Sequence, residues 1–296
     1  MTPATEAETV MAEFWNVLTD GDFVFVRYAF IMGACASVAF GMVGSLVVAR
    51  RVTYVAGAVS HAVLAGIGAS VFAQRAYGWL WFDPLLGAAL AACVAALLLG
   101  LARFAATERE DSVIGAIWSV GVAVGLLFFA AAPGYTDPMS YLFGNILLIG
   151  VRDLWLVLVL DVVIIALTVF FYPQLKAVCF DEDFARLRGV PVRLAYTLLL
   201  LLIALTVVLL ISIVGMVLVV ALMTLPAAAA GRFTRSLWQM MALASVLCLV
   251  FVTTGLVFSF QADLPTGPTI ILVAGVGYAL ALGARSAVRL IASPGQ

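Results

Sequence analysis

The sequence predicts an all-α polytopic membrane protein with about nine transmembrane helices (eight to ten), plus short interfacial and coupling helices. Three observations predict it. Hydrophobic residues make up 65% of the 296 and charged residues only 10%, at a mean hydropathy of +1.20, whereas soluble domains carry about 25% charged residues. The apolar residues gather into blocks of bilayer length, a span needing about 20 mostly apolar residues. The few charges fall between the blocks, with basic residues favouring alternate loops. Nothing is left over for a soluble domain, so 23–290 reads as one transmembrane domain.

The segment 1–22 carries Glu6, Glu8, Glu13, Asp20 and Asp22 but no Lys or Arg, so it lacks the basic start of a signal peptide and reads as an extracytoplasmic N-terminal segment. The apolar blocks follow at 23–49, 54–73, 84–103, 112–132 and 152–173. Met139 to Gly150 comes after the turn signal Ala-Pro-Gly-Tyr-Thr-Asp-Pro and is too short to span, so it reads as re-entrant or interfacial. Leu194 to Gly231 holds no charge and is too long for one span. It should break near Ser212–Gly215 into 194–211 and 213–230. Blocks 237–260 and 268–288 complete the set.

Orientation follows from the Lys/Arg bias, because basic residues stay on the cytoplasmic side. With the loops 50–53, 103–111, 174–193, 231–236 and the C-terminus inside, twelve of the fifteen basic residues are cytoplasmic. The opposite loops carry Asp83, Asp137, Asp153 and Asp263. This sets the N-terminus outside and the C-terminus in the cytoplasm of a multi-pass cell-membrane protein. Cys35, Cys93, Cys179 and Cys248 form no CxxC pair and read as small core residues.

Several functions are excluded. The one lysine, Lys176, stands in no GxxxxGK[ST] loop, so the chain cannot cradle nucleotide by a P-loop. GxSxG, HExxH and paired-carboxylate motifs are missing, as is a basic, aromatic-studded patch for nucleic acid. Work driven by ATP would need an ATPase on another polypeptide.

Two places remain for chemistry. His61, the only histidine, lies in Ala56-Gly-Ala-Val-Ser-His-Ala-Val-Leu-Ala-Gly-Ile-Gly68. An intramembrane imidazole needs a partner and marks a polar path, and histidine is the commonest transition-metal ligand. It either lines a metal-conducting pathway or bonds a neighbouring helix backbone and serves packing. The small residues around it, Gly57, Ser60 and Ala65 among them, suit a gate helix that slides at a subunit interface, and suit close packing equally. The second place is the charged island Phe180-Asp-Glu-Asp-Phe-Ala-Arg-Leu-Arg-Gly-Val-Pro191. Acidic residues at its start and basic ones near its end match a helix dipole. Gly189 supplies a stop and Pro191 forbids continuation. Phe180, Phe184 and Leu187 share one face across Ala185. A solvated loop has no use for an apolar face, whereas a docking surface does.

The residues now in view resemble the permease subunits of zinc/manganese/iron-type ABC importers. The resemblance rests on Gly44-Ser-Leu-Val-Val-Ala-Arg-Arg51 with Ser60-His-Ala-Val-Leu-Ala-Gly66, and on Asp111-Ser-Val-Ile-Gly115 with Ala123-Val-Gly125. Tyr141-Leu-Phe-Gly-Asn-Ile-Leu147, the charged island, Val214-Gly-Met-Val-Leu-Val and Leu225-Pro-Ala-Ala-Ala-Ala230 complete it. Their order and spacing cover most of the chain. The resemblance implies a type II importer-like permease that moves divalent metal (manganese, zinc or iron) as substrate and holds no permanent cofactor. It implies a cytoplasmic ABC ATPase dimer, a second permease copy or paralogue, and an extracytoplasmic metal-binding protein as partners. The island at 180–190 becomes the coupling helix, with Phe180, Phe184, Ala185, Leu187 and Gly189 in the coupling.

One position departs from the family, whose manganese and zinc members commonly carry an aspartate four residues before the histidine. Here it is Gly57. Asp161, at mid-span, is the compensating candidate because a carboxylate there is costly without a partner or water; a structural hydrogen bond is its other explanation. Asn145 is a third candidate. The departure leaves open a same-fold permease for a non-metal or chelated-metal cargo. A secondary carrier working without an ATPase is disfavoured by the single mid-span carboxylate and by the island.

Overall fold

Eleven α-helices make up nearly all of the described part of the chain, which in the computed structural model comprises residues 24–105, 110–134, 142 and 150–292. They are α1 (Val24–Arg50), α2 (Thr53–Tyr77), α3 (Pro84–Ala105), α4 (Glu110–Ala131), α5 (Val151–Phe170), α6 (Tyr172–Phe180), α7 (Glu182–Leu187), α8 (Val192–Val214), α9 (Met216–Ala230), α10 (Leu237–Ala262) and α11 (Thr266–Ala292). Eight are long and apolar enough to cross a membrane, and α9 is a shorter apolar helix. This is the polytopic all-α fold expected from composition. The segment 1–22, the interfacial helix expected at 139–150 apart from Leu142 and Gly150, and Asn145 lie outside the described residues.

Local chemistry sets most of the boundaries. Asp83 Oδ1 accepts the Leu85 amide at 2.9 Å and starts α3. The Gly150 amide donates to Asp153 Oδ2 at 2.9 Å and starts α5. The long uncharged stretch divides at Gly215, whose φ of +82° suits a residue without a side chain. That break falls within the expected Ser212–Gly215.

The cytoplasmic-loop expectation needs one correction. Block 152–173 ends early, at Phe170, and residues 174–180, read from sequence as connecting loop, are helical within α6. The charged helix is accordingly narrower than 180–190: Phe180 closes α6, and α7 covers only Glu182–Leu187. The separation comes from Asp181, which is extended at φ −153° and accepts the Phe184 amide through its carboxylate at 2.9 Å. An N-cap of this kind favours starting a new helix over continuing the old one. Gly189 stops the segment at φ +76° and Pro191 caps α8.

Packing centres on α2, whose Val55, Ser60, Val63, Leu64 and Ile67 are buried. It lies against α4, α3, α8 and α9, while α1 packs on α10, α9 and α5. Glycines allow the closest approaches. A Cβ on Gly66 would sit 2.0 Å from the Gly87 carbonyl oxygen of α3, and one on Gly68 would sit 2.7 Å from the Gly125 carbonyl oxygen of α4. The small residues of the His61 helix are thus used for packing inside this chain. Sidedness agrees with the alternation read from sequence: the ends of α1 and α3 meet α7 on one side, and the starts of α3 and α5 line a common cleft with Leu205 and Val208 of α8.

Candidate functional site

His61 sits one helical turn above Gly57 on α2, and its surroundings are set by those two residues and one from α4. Nδ1 lies 2.8 Å from the Gly57 carbonyl oxygen. A carbonyl can only accept, so Nδ1 is the donor, and Nε2 is the nitrogen that the neutral ring offers as a ligand. Metal-binding histidines are oriented in this way, by donating their other ring N–H to a carbonyl or carboxylate. The imidazole is half-buried and stacks on the Trp118 indole, ring centroids 4.2 Å apart and planes 24° apart. A Cβ on Gly57 would lie 2.5 Å from Cζ3 of that indole. The missing side chain at 57 and the ring over His61 are therefore one arrangement.

The other residues read from sequence fall elsewhere. Ser60 is buried and returns its hydroxyl to the Ala56 carbonyl at 2.8 Å, so it serves the helix and not a path. Ala65 is half-buried on the same helix. Asp161 is only 6% exposed, and its Oδ1 has no hydrogen-bond partner. It belongs to α5, which packs chiefly on α1 and α8, whereas His61 is held between α2 and α4. His61 and Asp161 thus occupy separate helix interfaces. Among the described residues no three His, Cys, Asp or Glu side chains gather to hold a metal. The arrangement can offer a passing cation one imidazole nitrogen, and separately one buried carboxylate. The described residues by themselves do not enclose an ion.

A second cluster lies where α1, α3, α7 and α8 converge. Glu182 of α7 pairs with Arg50, the last residue of α1, and with Arg103 near the end of α3 at 3.4 Å. Both guanidinium carbons stand 5.9 Å from the centre of the Tyr196 ring, which is 1% exposed. Arg193 covers Phe104 at 5.4 Å. Cation–π contacts of this kind are worth about 0.5–2 kcal/mol each. The cluster clamps a six-residue helix that could not hold itself. On its other face Phe184 is 51% exposed and Leu187 87% exposed, with Phe180 of α6 exposed beside them, while Ala185 is buried inward. Burial pushes the Cys179 thiol of α6 up to about 12, with Arg50 opposing, so it stays protonated and inert.

Sequence reasoning missed Trp118, Arg50, Arg103 and Tyr196. Trp118 is the only tryptophan in its apolar block, which was a signal. The arginines were read for orientation and, at Arg50, as part of the Gly44–Arg51 motif, and nothing local tied them to Glu182, 132 positions away from Arg50.

Residues 22–284 match the model of the ABC 3 transport family. An uncharacterized membrane protein of Synechocystis is 38% identical over 89% of this chain and 92% of its own length. The manganese transport system membrane protein MntC of Listeria monocytogenes is 31% identical over 88% of this chain and 90% of its own. Among solved structures, PsaBC from Streptococcus pneumoniae in complex with Fab superposes at a TM-score of 0.80 with 29% identity, covering 92% of this chain and 95% of that one.

Proposed function

The chain belongs to the ABC 3 transport family, and we propose from its geometry how it serves as the membrane-spanning permease subunit of an ATP-driven metal importer. Relatives of full length that carry manganese transport names support the cargo class. The observation that carries the working mechanism is the clamp on α7. A short helix exposes Phe184 and Leu187 on one side and on the other is tied through Glu182 to the ends of α1 and α3. A cytoplasmic ATPase dimer that grips the apolar face moves those ends. Arg51, at φ +64°, turns α1 directly into α2, so the displacement of Arg50 reaches the helix that holds His61.

On this reading α7 is the coupling helix and lies in the cytoplasm. His61 is a waypoint on the path, and metal arrives from an extracytoplasmic binding protein. A second permease, a copy or a paralogue, completes the path. With one nitrogen on offer the waypoint binds weakly, since a zinc site normally takes three or four ligands. Weak binding suits passage. Selectivity then resides mainly in the extracytoplasmic partner.

The test is co-purification. Phe184→Asp or Leu187→Asp places a carboxylate in the docking face and should abolish ATPase association while the permease still inserts and folds. Full recovery of the ATPase with either variant would overturn the assignment of α7.

A further inference from the structure

Trp118 has no place in the coupling scheme, yet its indole stacks directly on the waypoint histidine. Its indole lies over the imidazole because Gly57 leaves the space, and any side chain at 57 would collide with it. The two helices are closely packed around it. A Cβ on Gly121 would lie 2.7 Å from the Ala62 Cα, and one on Gly125 would lie 2.7 Å from the Leu64 carbonyl carbon, so the backbones of α2 and α4 already touch on the adjoining turns. The indole itself is 37% exposed.

We propose that Trp118 is the positioning residue of the His61 waypoint. It holds the imidazole with the Gly57 carbonyl on one nitrogen and an aromatic plate on one face, so that a divalent cation meets the in-plane lone pair of Nε2 in a fixed orientation. Two contacts share the work: the Nδ1 hydrogen bond fixes which nitrogen is offered, and the stack fixes the ring plane. Neither contact adds a ligand, so passage stays loose. The plate removes the ring's rotational freedom, a loss that would otherwise count against each binding event. The inference rests on His61 lying on the path, but its test does not depend on transport.

Because His61 is the chain's only histidine, carbethoxylation by diethyl pyrocarbonate reports on it directly. The assembled transporter, carrying a tag without histidine, is treated and the peptide holding residue 61 is followed by mass spectrometry, with and without zinc as protecting ion. Removing an aromatic partner costs an amount equivalent to about tenfold. Trp118→Ala should therefore react about tenfold faster and need about tenfold more zinc for half-protection. Trp118→Phe, which keeps a plate, should stay within about twofold of the parent on both measures. Gly57→Ala displaces the indole without removing it and serves as the second opening variant should Trp118→Ala not assemble. Opening variants that react and are protected like the parent overturn the proposal. Loss of the waypoint reading would show elsewhere, as unimpaired uptake by His61→Ala, and leaves this measurement readable.

Discussion

Gly57 shows how much one missing side chain decides. Its carbonyl accepts a hydrogen bond from His61 Nδ1, its bare Cα admits the Trp118 ring, and a carboxylate at this position would need the indole to leave. The site therefore offers an imidazole alone, and His61→Ala should lower metal uptake by roughly tenfold to a hundredfold, the scale on which disturbing a ligand's environment acts. Assembly and basal ATP hydrolysis should be unchanged; uptake equal to wild type would reduce the residue to packing. Asp161 makes a separate prediction. A buried carboxylate with one oxygen left without a hydrogen bond is a cost to the fold, so Asp161→Asn should leave the melting temperature unchanged or raised. A fall in uptake with that unchanged stability identifies a second waypoint, and a fall in stability identifies a structural aspartate.

Helices α2 and α7 carry opposite lessons about elements. The first was legible: an apolar run dense in glycine and alanine must pack closely, and it does, through Gly66 on Gly87 and Gly68 on Gly125. Gly66→Ala should accordingly destabilise by about 1–3 kcal/mol, the usual cost of overpacking, because the obstructing atom is backbone and cannot rotate away. Thermal unfolding in detergent measures it, and Gly115→Ala, which meets nothing within 4 Å, is the control. The charged island was legible as a helix with an apolar face, but its bounds were not. Asp181 could continue a helix or cap one, and only its hydrogen bond to the Phe184 amide distinguishes the two. Glu182→Gln should keep the ATPase attached and lower ATP-driven uptake several-fold, since Phe184 and Leu187 remain while the charge that holds Arg50 and Arg103 is gone. Transport at the wild-type rate would show that force does not pass through this pair.

For the molecule as a whole, the gathering of Arg50, Arg103, Glu182 and Arg193 at one end accords with these basic loops lying together on one side. An impermeant thiol reagent tests the sides. Leu80→Cys, at a position 83% exposed between α2 and α3, should label in intact cells, and Arg235→Cys only after permeabilisation. The reverse pattern would invert the topology. Background should be low, because Cys179 and Cys248 are buried and Cys35 and Cys93 lie within spans. Composition and charge order by themselves determined the polytopic helical class, the break before α9 and the grouping of loops by side, because a bilayer sorts residues by polarity along the chain and needs no distant contact to do so. The tertiary structure alone decided that Trp118 stacks on His61, that Asp161 faces α1 at a separate interface, and that two arginines converge on Glu182. Those contacts join residues far apart in sequence, and among uniformly apolar helices the choice of neighbour rests on where glycines let backbones meet.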